Sequence, residues 1–575
     1  VGSNPLQHSS GFNIDAWKRR LRVAQGFEPA DLVISGARVV NVFSGDLESG
    51  DVAIVDGRIA AVGDFPDALE RLDATGMTLA PSFIDAHIHL ESSLVWPSEF
   101  ARAVVPHGTG AVITDPHEFA NVAGIRGVDA VRKATLGLPL TVRFTIPSCV
   151  PASPFESPGA VFGVDEITEA LNWPESVGLG ELMNFPGVLA GAGEIAVKLA
   201  AAEGRRRDGH APGLRGKAVQ AYAGSGTHSD HESTTLDEAR DKLRAGLMVM
   251  IREGSTEHNL HELLSLVTDL TYPRCCFASD DRDCHSLLHD GHMDAILRGA
   301  IEGGLDPVRA IRMATWNTAD YWRLEGIGAV APGYEANLVL LRDLERVEVA
   351  ATFYRGKLVA KDGAYLFDQP TGSVPDDLSH SVHVAPVMLR HLALEPNNAK
   401  QAVGAIHGQI VTKRLDVEPK IVNGQAVADV ERDLLKLVCI ERHNASGRVG
   451  VGYVHGFGLK RGAMASTISH DAHNIVAVGV GDVDLLAAIA LVAESQGGLA
   501  VVADGQILGH LPLPIAGLLS DRPLEEVAAT YDQLEQAARD MGSTLPSPFG
   551  LLAFMALTVI PEARVTDRGF FVVGT

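Results

Sequence analysis

The chain has 575 residues, 46% of them hydrophobic and 21% charged, a composition that supports large buried cores spread over two or three folded units. Its net charge of -24 excludes a general nucleic-acid or anionic-membrane surface, because a polyanion is repelled before contact forms. Five cysteines, an odd number with no C-x-x-C spacing, exclude a disulfide framework and a structural zinc site.

The opening VGSNPLQHSSGFN lacks the basic start and apolar core of a signal peptide, and no apolar run reaches the roughly 18 residues of a membrane span. A cytoplasmic protein is expected, with 1–30 as an N-terminal extension. From Asp31 to Asp64, β-branched residues alternate with turn signals such as SGD, ESGD and VDGR, which predicts short antiparallel strands. The same texture returns from Gly328 to Gly363. The two segments, 31–76 and 328–368, are expected to pair into one small β-sandwich domain with the intervening chain inserted as a separate body.

Across 77–327, strand patterns (MTLAPSFIDAHIH, GAVITDPHE, LTVRFTIPS, VGLGELMN, DGHA, THSDH, LMVMIREGS, PRCCFASDD) alternate with helical ones such as SEFARAVVPHG, GEIAVKLAAAEG and TLDEARDKLRAG. Eight such alternations predict an α/β fold, a (β/α)8 TIM-type barrel whose chemistry lies at the carboxyl ends of its strands. The polar, proline-bearing stretch 369–384 reads as a linker, and 385–575 as a C-terminal α/β domain.

His87 and His89 end the first strand, Glu181 the fourth, His210 the fifth, His231 the sixth, and Asp280 and Asp281 the eighth. Residues two apart on a strand share a face, so His87 and His89 can grip one cation; on a helix they would point about 200° apart. This donor set suits two divalent first-row metals, Zn, Fe, Ni or Mn. Glu181 is the natural bridge between ions about 3.5 to 4 Å apart that acidify a shared water. Asp280, the first acid after CCFAS, is preferred to Asp281 as ligand and proton acceptor. A lone strand-end histidine is more often structural, and the metal reading rests on the convergence.

FIDAHIH with later strand-end His, His and Asp inside a split β-domain resembles the amidohydrolase superfamily. HLESSLVWPSEFARAVVPHGTGAVITDPHEFANVAG, GLGELMNFPGV, SDDRDCHSLLHDGH and GFGLKRGAMASTISHDAHNI resemble its adenine deaminase family. The resemblance implies hydrolysis of adenine to hypoxanthine and ammonia in purine salvage, at a binuclear centre of Mn or Fe, with Zn also compatible. A metal-bridging hydroxide would attack C6. Where many superfamily members bridge with a carbamylated lysine, GLGELMN puts Glu181, and Lys198 is expected on the solvated surface. The expected partner is the small substrate alone, without nucleic acid or membrane, in a homo-oligomer, a dimer first.

Glu118, at the end of the second strand, is the candidate to protonate the purine N1 from a shielded, neutral carboxyl; the bland alternative is a helix-start carboxylate. Glu91, Ser92 and Ser93 are expected to line the substrate pocket, or the serines to cap a helix. Arg252 either positions substrate or pairs with Glu253. His470, Asp471, His473 and Asn474 form either a hydrogen-bonded turn or a distal contribution to the barrel mouth. A zinc deaminase of the other class is rejected, because His89-Leu90-Glu91 has no P-C-x-x-C to accompany it. The runner-up activity is opening of a cyclic amide or imide, such as a dihydropyrimidine or hydantoin. A metal-free scaffold would require missing ligands, and no ligand position is replaced.

Overall fold

The computed structural model describes residues 13–573 except 66, 369–373 and 408, so the start of the expected extension and five residues of the expected linker lie outside the described residues. The apolar run from Met77 is two strands rather than the single one expected. Thr78–Pro81 runs beside Leu338–Asp343 and Arg38–Val40 in a seven-stranded sheet, whereas Phe83–His89 opens a separate parallel sheet. The break falls at Ser82, whose N–H donates to the Asn337 carbonyl at 3.0 Å, while the next N–H, of Phe83, donates to Gly108 at 2.9 Å. Pro81, with no N–H to give a ladder, suits a strand end.

The parallel strands are β1 (Phe83–His89), β2 (Thr109–Thr114), β3 (Thr141–Ile146), β4 (Ser176–Leu182), β5 (Arg206–Gly209), β6 (Ser229–Asp230), β7 (Met248–Arg252) and β8 (Cys275–Ala278). They form ladders β5-β4-β3-β2-β1 and β6-β7-β8. Two contacts join the ladders. His228 N donates to Arg207 O at 3.0 Å, and Asp280–Asp281, just past β8, pairs parallel with Ile88 and His89. The sheet thus curls as a TIM-type barrel does, and its strands are buried on both faces, as parallel strands covered by helices are.

Two sheets drawn from Ala30–Pro81 and Leu338–Tyr365 flank the barrel and share an apolar core that includes Ile34, Ile54, Leu79, Leu338 and Phe353. Further along, an eight-stranded mixed sheet from Gln401–Ala405 to Gln506–Pro512 packs against the helices Asp482–Glu494 and Leu524–Asp540. This part is fused to the barrel. One apolar cluster runs from Leu94, Trp96 and Phe119 to Leu513, Phe549 and Phe554, and Ser520 N donates to Leu94 O at 2.8 Å.

Candidate metal centre

β1 ends at His89, and a 3-10 turn, Leu90–Ser93, carries the chain away, held by the Ser93 hydroxyl donating to Leu90 O at 2.6 Å. The ladder to β2 slips between Asp85 and Ile88, the kind of irregularity that re-aims side chains beside sites. Both imidazoles are buried, and each is fixed from behind. Nδ1 of His87 lies 2.8 Å from Asp208 Oδ2, and Nδ1 of His89 lies 2.9 Å from the Asp115 carbonyl. A carbonyl only accepts, so His89 Nδ1 carries the proton and its Nε2 a lone pair; the Asp208 carboxylate sets His87 the same way. The two Nε2 atoms face each other at 3.1 Å.

Two lone pairs at that separation repel unless a cation lies between them. Two nitrogens bound tetrahedrally to one ion at 2.0–2.1 Å would be about 3.3 Å apart, so the pair is already spaced for a metal. Other donors surround them. Asp280 Oδ1 lies 3.2 Å from His89 Nε2 and 3.8 Å from His87 Nε2. Glu181 Oε1 lies 3.4 Å from His89 Nε2, and its Oε2 lies 2.5 Å from His210 Nδ1 and 3.2 Å from His231 Nε2. Neither nitrogen of His231 makes a hydrogen bond, nor does His210 Nε2. Buried imidazoles left unpaired in a ring of carboxylates fit divalent ions.

The electrostatics agree. Burial would raise the Glu181 and Asp280 carboxyls, but the surrounding imidazoles, with Arg252 beside Asp280, outweigh it and hold both well below the usual carboxylate range. Burial would equally lower His89 and His231, yet Asp280 and Glu181 around the first, and Asp208 and Glu181 around the second, hold them well above the usual imidazole value. Without metal, protons on these imidazoles supply the positive charge that the carboxylates draw, and a cation takes their place once the Nε2 atoms are deprotonated.

The structure therefore brings together His87, His89, Glu181, His210, His231 and Asp280. Asp280, rather than Asp281, faces the imidazoles, from a left-handed backbone (φ 58°) unusual for a residue with a side chain. Gly180 has a defined job: a Cβ there would lie 2.1 Å from Asp115 Oδ2, the atom that accepts the Glu181 N–H at 2.9 Å.

Two expectations differ, those for Glu118 and Lys198, and two others divide between their alternatives. Glu118 is not a neutral carboxyl: burial would raise its pKa, but His470, His473 and His117 pull it well below the usual range, with Oε1 2.9 Å from His470 Nδ1. Its neighbour Glu91 is raised instead, pushed up to about 8 by burial and the Glu118 charge. The serines split between the two readings: Ser93 closes its own turn, and Ser92 donates to Asp281 and lines a pocket with Asp281, His470 and Phe554. Arg252 lines the cavity of Glu181 and Asp280 and pairs with Glu232 and Asp280, not with Glu253, which holds His258 at 2.8 Å. Lys198 is half-buried, donating to Ser148 O at 2.7 Å, instead of solvated.

His117 was missed. Its Nδ1 lies 3.3 Å from Glu181 Oε1 and its ring centroid 4.6 Å from that of His89. The only signal was its place in TDPHE after β2, masked by attention to Glu118. The distal cluster does reach the mouth: His470 and Asp471 line the same cavity as Glu181 and Asp280, and Phe554 stacks on His470 with centroids 4.7 Å apart. Asn474 is structural, accepting from Arg442 N and donating to Ser157 O.

A curled parallel sheet with imidazoles and carboxylates converging beyond its strand ends defines the class: a metal-dependent hydrolase built on a TIM-type barrel. Residues 78–359 match the amidohydrolase family, and residues 409–575 match the adenine deaminase C-terminal domain. An adenine deaminase of Dehalococcoides mccartyi is 49% identical over 550 residues, 96% of each chain. Adenine deaminase 2 of Carboxydothermus hydrogenoformans is 44% identical over 562 residues, 97% of this chain and 98% of that one. A solved β-aspartyl dipeptidase of Fervidobacterium islandicum overlaps 59% of this chain and 99% of its own at 16% identity and a TM-score of 0.46, too loose to carry weight. The chain belongs to the adenine deaminase family of the amidohydrolases. No described helix is long and apolar enough to cross a membrane.

Proposed function

We infer that the chain hydrolyses adenine to hypoxanthine and ammonia. The observation that carries this reading is spatial: the segment matching the adenine deaminase C-terminal domain supplies His470, Asp471, Phe554 and Ile560 to the wall of the cavity that His89, Glu181 and Asp280 line from the barrel. The part of the chain peculiar to this family thus shapes the space above the metal donors.

Two divalent ions, Mn or Fe, with Zn also compatible with the donors, would be held by His87, His89 and Asp280 on one side and His210 and His231 on the other, with Glu181 shared. When bound, they supply the Lewis acidity that makes water nucleophilic near neutral pH. Asp280, kept ionised and steered by the Arg252 guanidinium at 2.8 Å, takes the proton of the attacking water and returns it to the departing amino group. Glu118 acts with His470 rather than alone. Their contact at 2.9 Å keeps a proton on the imidazole, whose pKa is raised to about 9 because Glu118, Asp281 and Asp471 outweigh burial; the imidazole gives that proton to the purine N1 and is restored by the C6 hydroxyl proton as the carbonyl forms and ammonia leaves. Met183, Ile410 and Phe554 give the ring apolar walls. We also take the two flanking sheets as one split β-sandwich domain, 30–81 and 328–368, its first boundary moved past the expected 76 by the strand Thr78–Pro81, with 83–327 as the catalytic body and 385–575 as the α/β domain.

The test is ultraviolet absorbance with Mn-loaded protein and adenine, a dihydropyrimidine and a hydantoin in parallel. Loss of the adenine spectrum supports the reading. Turnover of the cyclic amides alone overturns it.

A further inference from the structure

On the outside of the molecule, away from the cavity donors, three more potential ligands meet across the seam between the barrel and the carboxyl-terminal part. The helix Cys284–His289 follows directly on the Asp280–Asp281 strand and presents His285 and His289, one turn apart. Asp532 projects from the helix Leu524–Asp540, and these two helices pack together. Nδ1 of His285 lies 2.6 Å from Asp532 Oδ1, and Nε2 of His289 lies 3.7 Å from Oδ2. All three ligand atoms fall within 4.8 Å of one another, and the imidazole centroids are 4.6 Å apart.

An ordinary ion pair accounts for only part of this. One imidazole satisfies the near oxygen of Asp532, but the second is too distant from the other oxygen for a hydrogen bond and gains little from standing beside the first. A shared cation accounts for both. Around a tetrahedral ion with bonds of 2.0–2.1 Å, donors sit about 3.3 Å apart, so the His285–Asp532 contact opens slightly while His289 closes in. The three side chains are partly exposed, which gives them freedom to make that adjustment and leaves the fourth position to water.

We propose that His285, His289 and Asp532 form a surface site for one divalent cation of the Zn, Ni or Cu type, clamping the carboxyl-terminal part onto the barrel. Two imidazoles and one carboxylate favour Zn, Ni or Cu over Mn by the ordinary affinity series, so loading with Mn alone leaves this site open to zinc. The clamp has reach. Asp283 caps the imidazole-bearing helix by accepting from Ser286 N at 2.7 Å, and Tyr531 neighbours Asp532; both line a second pocket, shared with Asp281, His470 and Phe554, beside the candidate centre. Holding the two helices together therefore holds two walls of that pocket.

The experiment uses Mn-loaded full-length protein, wild type and the variants His289→Ala and Asp532→Asn, equilibrated with micromolar Zn2+ and desalted. Exchange of zinc into interior positions is common to all three, so the readout is the difference. Wild type is expected to hold one more zinc per chain than either variant, with binding at least about tenfold weaker in each variant. Its melting temperature is expected to rise further with zinc than the variants' does, since each ligand bound only by the folded chain adds stability. A zinc-edge anomalous peak between the three side chains completes the positive result. Equal zinc content and equal melting shifts in wild type and variants overturn the proposal.

Discussion

Replacing Asp208 with Asn tests the arrangement behind the facing imidazoles. Asp208 is fully buried, and its two oxygens have separate duties: Oδ1 accepts from Gly209 N at 2.8 Å and Ser229 Oγ at 2.6 Å, while Oδ2 faces His87 Nδ1 at 2.8 Å. In the variant the amide oxygen keeps the two donors on the Oδ1 side, which turns the amide NH2 toward His87. Nδ1 must then accept, and the imidazole proton moves to Nε2, into the 3.1 Å gap facing His89. The gap becomes an N–H···N hydrogen bond and one metal donor is lost. Changes behind a ligand cost about 10–100-fold in metal affinity, or about 1.4–2.7 kcal/mol. Chelator titration of Mn-loaded protein reads this directly, with activity at saturating Mn as a second measure. If the variant held Mn as tightly as wild type, the tautomer argument would be wrong.

Phe554→Ala removes the ring stacked on His470 and one wall of the cavity, and is expected to raise KM for adenine by about 2–12-fold, the worth of one aromatic contact, with a smaller change in kcat. Lys242→Met leaves Asp230 and Glu238 without the buried ammonium that contacts them at 2.5 and 2.8 Å; calorimetry should show a loss of about 3–5 kcal/mol. In metal-free protein, His117 and His470 have folded pKa values raised from 6.5 to about 10 and about 9, because neighbouring carboxylates outweigh burial. Their contribution to stability is complete below pH 6.5 and is lost as pH rises through about 9 to 10, so the melting temperature of the apo-protein should fall across that window. Glu181, Asp280 and Asp208 are depressed and act in the opposite direction: their contribution stands above the ordinary carboxylate range and disappears on acidification below pH 4.

Much of this was legible in the chain because parallel strands announce themselves as short apolar runs and because metal donors cluster at their ends. FIDAHIH, GLGELM and CCFASDD each carry a strand and its terminal ligand in one stretch. β6 is only Ser229–Asp230, so THSDH gave the place of His231 better than it gave a strand. What sequence could not supply was partnership over distance. Asp208 backs His87 across 121 positions, and Glu118 meets His470 and His473 from the far end of the chain. The neutral Glu118 was a sound inference from burial alone and failed because the two imidazoles that do most to ionise it, His470 and His473, lie more than 350 residues away. Thr78–Pro81 failed differently: its apolar pattern suits either sheet, and its membership is decided by ladders to Leu338–Asp343 and Arg38–Val40, partners far off in the chain.

The most direct measurement is diffraction from crystals of Mn- or Fe-loaded protein at wavelengths spanning the metal edges. The account predicts two anomalous peaks flanking Glu181, one against His87, His89 and Asp280 and the other against His210 and His231. A single peak, or metal bound somewhere that Glu181 does not touch, would contradict it.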